Sequence, residues 1–250
     1  MLNLHPKFSV TPNFYKMILK VCGMRMAFNI REMGDLGVDW LGLEFWKESS
    51  RCVPQVMSRG GFIPDYTPIK GEKPELGVAK WLAPRENTPK RVGVFVDDMP
   101  QNIVTRVYNF NLDYVQLNGD ESPVMIENLI RTIIPDIRQG LKIIKAIPVE
   151  KSEDFKRCEE YKDLVDLFIF QGKNDAEGLY ATKFDWNLLE AYQGEVPFIL
   201  SGDIAPEDAE KVKALQHPKM LGVDINLRFE RELGIKDVEL VKQFMDVVKA

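Results

Sequence analysis

Met17-Ile18-Leu19-Lys20-Val21-Cys22-Gly23-Met24-Arg25 is the stretch on which the fold turns. An apolar run closes on a cysteine and a glycine, and an amphipathic helical pattern, Phe28–Leu36, follows at once. A strand that passes directly into a helix is the unit of an α/β fold, and side chains at the strand's end stand where such folds do their chemistry. Cys22 occupies that place. Outward from this stretch the same beat returns. Apolar runs recur at Trp40–Phe45, Arg91–Val96, Tyr114–Leu117, Lys142–Ala146, Leu167–Phe170, Pro197–Leu200 and Met220–Asp224. Between most of them lie helical windows at Ile103–Phe110, Val124–Ile134, Glu153–Glu160, Trp186–Tyr192 and Pro206–Leu215, and Val238–Val248 comes last.

Eight strands alternating with helices predict a (β/α)8 barrel, the TIM-barrel architecture, because parallel strands need crossovers and a closed sheet leaves no edge. An open doubly wound sheet is the alternative. A length of 250 residues and a hydrophobic content of 45% suit one such domain over 17–250. Residues 1–16 precede the first strand without a clear period and read as an N-terminal extension. Residues 54–90, rich in proline and glycine, form a loop-rich insertion after the second strand, with a helix expected around Glu75–Leu82.

A net charge of −5 argues against nucleic-acid and membrane partners, which want a basic surface. No apolar run is long enough to cross a bilayer, and the first sixteen residues lack a signal-peptide core. Cys22, Cys52 and Cys158 are odd in number and widely spaced, which predicts neither a disulfide framework nor a zinc site. A reduced, cytoplasmic setting is expected. His5 and His217 are too few for a histidine-ligated metal, so no metal and no cofactor are expected.

If the barrel forms, the active site lies at the C-terminal strand ends and phosphate binds near the loops after the seventh and eighth strands. The residues there are Cys22, Ser49-Ser50-Arg51, Gln116-Leu117-Asn118-Gly119, Gln171-Gly172-Lys173, Ser201-Gly202-Asp203 and Asp224-Ile225-Asn226.

In order and spacing, several motifs resemble the phosphoribosylanthranilate isomerase family of tryptophan biosynthesis, from about Met17 to the C-terminus. They are Lys20-Val21-Cys22-Gly23-Met24, Ser49-Ser50-Arg51, Val92-Gly93-Val94-Phe95-Val96, Gln116-Leu117-Asn118-Gly119, Lys145-Ala146, Phe184-Asp185-Trp186, Ser201-Gly202 and Gly222-Val223-Asp224. Arg228-Phe229-Glu230 and Gly234-Ile235-Lys236-Asp237 add to them. The resemblance implies an Amadori rearrangement of a phosphorylated sugar substrate, in a monomer or homodimer. It implies that Cys22 is the general base, that Arg51 grips the carboxylate at the anthranilate end, and that Gln116, Asn118 and Asp224 face the substrate. Gly178, Gly202, Asp203 and Asn226 fall on the phosphate-binding loops.

Some positions depart from the family pattern. Gln171 stands where the family places its acidic aspartate, and a carboxamide has no proton to give. Asn118 replaces a histidine, Leu227 a serine, and Gly178-Leu179-Tyr180-Ala181 a glycine-rich loop. Asp203 replaces a glycine, and two unit charges about 4 Å apart cost roughly 4 kcal/mol at an effective dielectric of 20, so it weakens phosphate binding unless it is turned away. Glu44 replaces an apolar residue. It is expected either to pair with a neighbouring lysine or, if it faces the barrel mouth, to stand in for the missing acid. A catalytically impaired or repurposed barrel that binds another ligand or a protein is therefore the alternative to the isomerase, and a different sugar-phosphate isomerase is a more distant one.

Overall fold

The computed structural model describes residues 17–53, 55–58, 61–64, 88–174 and 181–250. The 1–16 extension, the helix expected around Glu75–Leu82, and Gly178 with its loop lie outside the described residues. Eight parallel strands close into a barrel: β1 (Ile18–Val21), β2 (Trp40–Glu44), β5 (Lys90–Phe95), β6 (Tyr114–Leu117), β7 (Lys142–Pro148), β8 (Leu167–Gln171), β9 (Phe198–Leu200) and β10 (Met220–Ile225). Each pairs with the next in chain order, and β1 closes the ring on β10 with Ile18 to Val21 opposite Gly222 to Ile225. This is the (β/α)8 barrel that the sequence predicts, and every expected strand is present within a few residues.

Helices α1 (Ala27–Leu36), α2 (Pro100–Phe110), α3 (Pro123–Ile133), α4 (Ala209–Ala214) and α5 (Val238–Val248) lie between or after these strands. Their ends follow local chemistry. Proline, which lacks an N–H that the first turn would leave unpaired, opens α2 and α3, and Ser122 Oγ accepts the Met125 N–H. Asp237 caps α5 by accepting the N–H groups of Glu239 and Leu240. The windows after β7 and β8 form 3₁₀ helices, Ser152–Glu160 and Trp186–Ala191. In the first, buried Phe155 and Cys158 and the following buried Tyr161 recur every third residue, the period of that helix.

Within the 54–90 insertion, two described segments are strands. Gln55–Ser58 (β3) and Gly61–Pro64 (β4) pair as an antiparallel hairpin whose second strand lies along α2, and Arg106 Nε donates to Gln55 Oε1 at 3.1 Å. A second ribbon, Glu230–Glu232 (β11) with Ile235–Lys236 (β12), follows β10.

Two apolar layers hold the barrel. Leu19, Val21, Leu41, Leu43, Phe168, Phe170 and their neighbours face the helices. Inside, Trp40, Val92, Tyr114, Ile144, Leu167, Ile169 and Ile199 fill the lower barrel. Alternation along the strands then carries polar side chains into the upper barrel, where Lys20, Glu44, Gln116, Gln171 and Asp224 are all buried.

Candidate active site

A cavity of about 120 Å³ opens at the C-terminal ends of the strands. Cys22, Glu44, Gln116, Asn118, Gln171, Ser201, Gly202, Asp203, Asp224, Asn226 and Leu227 line it, together with apolar Trp46, Val94 and Val96. The structure thus brings together Cys22, Gln116, Asn118, Gln171, Gly202, Asp203, Asp224 and Asn226 of the site residues that the resemblance implies. Arg51 is the exception among those described. It is buried away from the lining, its guanidinium fixed on Glu230 by Nε–Oε1 at 2.7 Å and Nη2–Oε2 at 2.6 Å.

One wall is a continuous polar network. The Cys22 thiol lies 3.9 Å from Glu44 Oε1. Asn226 Nδ2 donates to the same oxygen at 3.1 Å, and Ser49 Oγ donates to Glu44 Oε2. Behind Asn226, fully buried Lys236 donates to Asn226 Oδ1 at 2.6 Å and to Glu230 Oε1 at 2.7 Å. Gly23 makes this possible. It has φ +68°, and a Cβ there would fall 2.4 Å from Asn226 Oδ1 and 2.9 Å from Arg51 Cδ. Glycine after the cysteine is therefore a requirement of close approach.

Burial is the leading influence on this wall. It pushes the Cys22 thiol up to about 12 from an ordinary 9.0; Lys20 and Lys236 oppose the rise, and Asp224 and Glu44 add to it. Burial also draws Lys236 below the usual lysine range, against the pull of Glu230. Glu230 resists its own burial and stays low because Arg51 and Lys236 both donate to it.

Asp224, from β10, is raised by burial, and Lys20 and Ser201 pull it back. Lys20 Nζ reaches Asp224 Oδ2 at 2.9 Å, and Ser201 Oγ donates to the same atom at 3.3 Å. Asp224 Oδ1 is buried without a hydrogen-bond partner among the described residues. On β6, Gln116 Nε2 donates to Asn118 Oδ1 at 2.8 Å, and Gln116 Oε1 is a second buried acceptor without a partner among the described residues. Such atoms are uncommon and call for a donor.

The rim beyond the seventh and eighth barrel strands carries Gly202 and Asp203. Gly202 has φ +95°, and a Cβ there would meet Thr182 O at 2.4 Å. The loop after β8 returns against it, with Gly172 N–H donating to Thr182 O at 2.9 Å. Asp203 is held by two parallel bonds from Arg228, Nε–Oδ1 and Nη2–Oδ2, both 2.8 Å. Its charge is therefore matched by the residue two places beyond Asn226, which answers the repulsion foreseen from the sequence.

Glu44 is corrected in one respect. It pairs with no lysine among the described residues and points into the cavity. The alternation Trp40, Gly42, Glu44 against Leu41, Leu43 and Phe45 is the sequence signal for that direction. Lys236 joins the site through Asn226, although nothing local in the sequence ties a two-residue ribbon strand to that residue. Among the described residues no cluster of three histidine, cysteine or acidic side chains could hold a metal ion, and no helix is long and apolar enough to cross a membrane.

Comparison with known proteins places this geometry in a family. The family model described as N-(5'phosphoribosyl)anthranilate (PRA) isomerase matches residues 74–247. An N-(5'-phosphoribosyl)anthranilate isomerase of Parabacteroides distasonis is 35% identical over 93% of this chain and 93% of its own. Among solved structures, the phosphoribosyl anthranilate isomerase of Thermotoga maritima superposes with a TM-score of 0.69 at 23% identity, over 93% of this chain and 98% of that one. A phosphoribosyl anthranilate isomerase in complex with reduced 1-(o-carboxyphenylamino)-1-deoxyribulose 5-phosphate has a TM-score of 0.65 at 23% identity, with the same coverage.

Proposed function

Since this chain belongs to the N-(5'-phosphoribosyl)anthranilate isomerase family, we propose that the barrel mouth carries out the Amadori rearrangement of N-(5-phosphoribosyl)anthranilate, turning an aminoaldose into 1-(o-carboxyphenylamino)-1-deoxyribulose 5-phosphate. The reaction needs a proton delivered to the ring oxygen and a proton removed from sugar C2. The observation that carries the reading is the ring of groups around the cavity: a thiol at the end of β1, the two buried, unpartnered acceptors Asp224 Oδ1 and Gln116 Oε1, and the turn at Gly202. Sugar hydroxyls are donors suited to both acceptors. Gly202, Asp203 and Asn226 lie on the two loops where barrels of this kind take phosphate, and Gly178 belongs to the same set by resemblance.

Cys22 is the base in this reading, and Gln171 orients the sugar by hydrogen bonding without giving a proton. Its test is turnover of phosphoribosylanthranilate by the purified protein, followed by separation of the product. Wild type is expected to exceed Cys22→Ala by at least about a hundredfold, the lower end of what a positioned base contributes. Wild-type turnover equal to that of Cys22→Ala overturns the reading.

One observation favours a second reading, a repurposed barrel. The charged side chains among the described lining residues, Glu44, Asp203 and Asp224, are all acidic. An uncharged or cationic ligand suits such a lining. Calorimetry with the reduced product analogue separates the two: submillimolar binding supports the isomerase, and none supports the alternative.

A further inference from the structure

We propose that Glu44 is the second proton carrier of this site and forms with Cys22 a single acid–base couple that takes over from the carboxyl group absent at Gln171. The inference rests on the isomerase reading and adds to it a residue that lies in the position of an apolar one.

Geometry assigns the protons. Ser49 Oγ accepts the Arg51 backbone N–H at 3.0 Å and donates its own hydrogen to Glu44 Oε2. Asn226 Oδ1 is taken by Lys236, a donor only, so the Asn226 amide nitrogen is turned to Glu44 Oε1. Both neighbours donate to Glu44. Glu44 is therefore the acceptor in every contact it makes here, and the thiol supplies the remaining hydrogen to Oε1 across 3.9 Å. Of the three carboxylates among the described lining residues, Asp224 is engaged by Lys20 and Asp203 by Arg228. Glu44 alone pairs with no lysine or arginine among the described residues.

The proton moves as follows. Cys22 passes its hydrogen to Glu44 Oε1 in step with the next transfer, so that the thiolate forms only as the ring oxygen is protonated. Glu44 gives that proton to the ring oxygen as the C1–O bond breaks, and the nitrogen lone pair forms the C=N bond. The thiolate removes the hydrogen from C2. The C2–H electrons become a C1=C2 bond and the C=N pair returns to nitrogen. Cys22 is again a thiol and Glu44 again a carboxylate, and the enol becomes the ketone in water. Ring oxygen and C2 are both bonded to C1, so two adjacent groups on β1 and β2 can serve them.

The test compares wild type, Glu44→Gln and Glu44→Gln/Gln171→Asp. Glu44→Gln is expected to lower kcat by about 10²–10⁴ with KM within about threefold. Restoring a carboxyl at 171 in that background is expected to recover at least about tenfold. A Glu44→Gln kcat within about threefold of wild type overturns the couple. If Glu44→Gln loses its circular dichroism, Glu44→Asp replaces it, with at least about a tenfold loss expected and no loss overturning the proposal. A wild type that does not turn over refutes the isomerase reading instead, and the couple is then judged from the pH dependence of Cys22 alkylation, read by mass spectrometry. Cys22 faces Lys20, Asp224, Glu44 and Lys236. Removing the Glu44 charge is expected to move its titration down by about one pH unit or more, and an unmoved profile overturns the couple.

Discussion

Cys22 and Cys158 keep their protons because both are buried, each raised from 9.0 to about 12. The folded chain therefore holds protons that the unfolded chain releases above pH 9. The stability they contribute is complete below pH 9 and is lost as pH rises through 12. Urea midpoints are expected to fall across that window and to fall less in Cys158→Ala; identical slopes for the two proteins would contradict this. Asp203, at φ +47°, sits where glycine is at ease, and its carboxylate occupies Arg228. Asp203→Gly relieves that backbone and frees a guanidinium at the rim. KM for the phosphorylated substrate is expected to fall roughly fivefold, the worth of about 1 kcal/mol, with kcat little changed. Steady-state kinetics decide it, and an unchanged or higher KM would show that Arg228 does not reach the phosphate.

At the level of elements, a repeated device sets the lower end of the barrel. Asp39, Asp113 and Asp166 each precede a barrel strand and accept a backbone N–H from the barrel strand before it: Leu19 N at 2.8 Å, Arg91 N at 2.9 Å and Ile143 N at 2.8 Å. The fourth pair uses a carbonyl instead, with Phe198 N donating to Lys219 O. Asp113 also holds Arg138 at 3.0 Å. Asp113→Ala removes both bonds and is expected to cost about 1–3 kcal/mol in urea unfolding. A cost below about 0.5 kcal/mol would make the aspartates incidental. The pattern is visible in the sequence as Asp-Trp, Asp-Tyr and Asp-Leu at strand entrances, but its partner strand is not.

For the whole molecule, closure joins the two ends of the domain. β1 pairs with β10, α5 packs on α1 and α4, and Lys249 bonds to Asp39 beside the first strand. Phe244 is buried, edge-on to Phe229 at 5.1 Å. Phe244→Ala is expected to cost about 3–5 kcal/mol. Its unfolding curves by tryptophan fluorescence and far-ultraviolet circular dichroism are expected to shift together, because a ring of strands cannot open at one seam and keep its core. Separate midpoints would show that the last helix melts independently.

The order of elements, the barrel and the strand-end residues were legible in the chain itself, because periodicity and chain order are local properties and a βα beat repeated eight times leaves few ways to bury its apolar faces. Cys22, Gln171, Gly202 and Asp224 follow from position alone. What each side chain does there is a matter of distance between residues far apart in sequence. Arg51 meets Glu230, Asp203 meets Arg228, and Asn226 is turned by Lys236 toward Glu44. A hydrogen bond reaches about 3 Å, and only the closed barrel brings strands from opposite ends of the chain within that range.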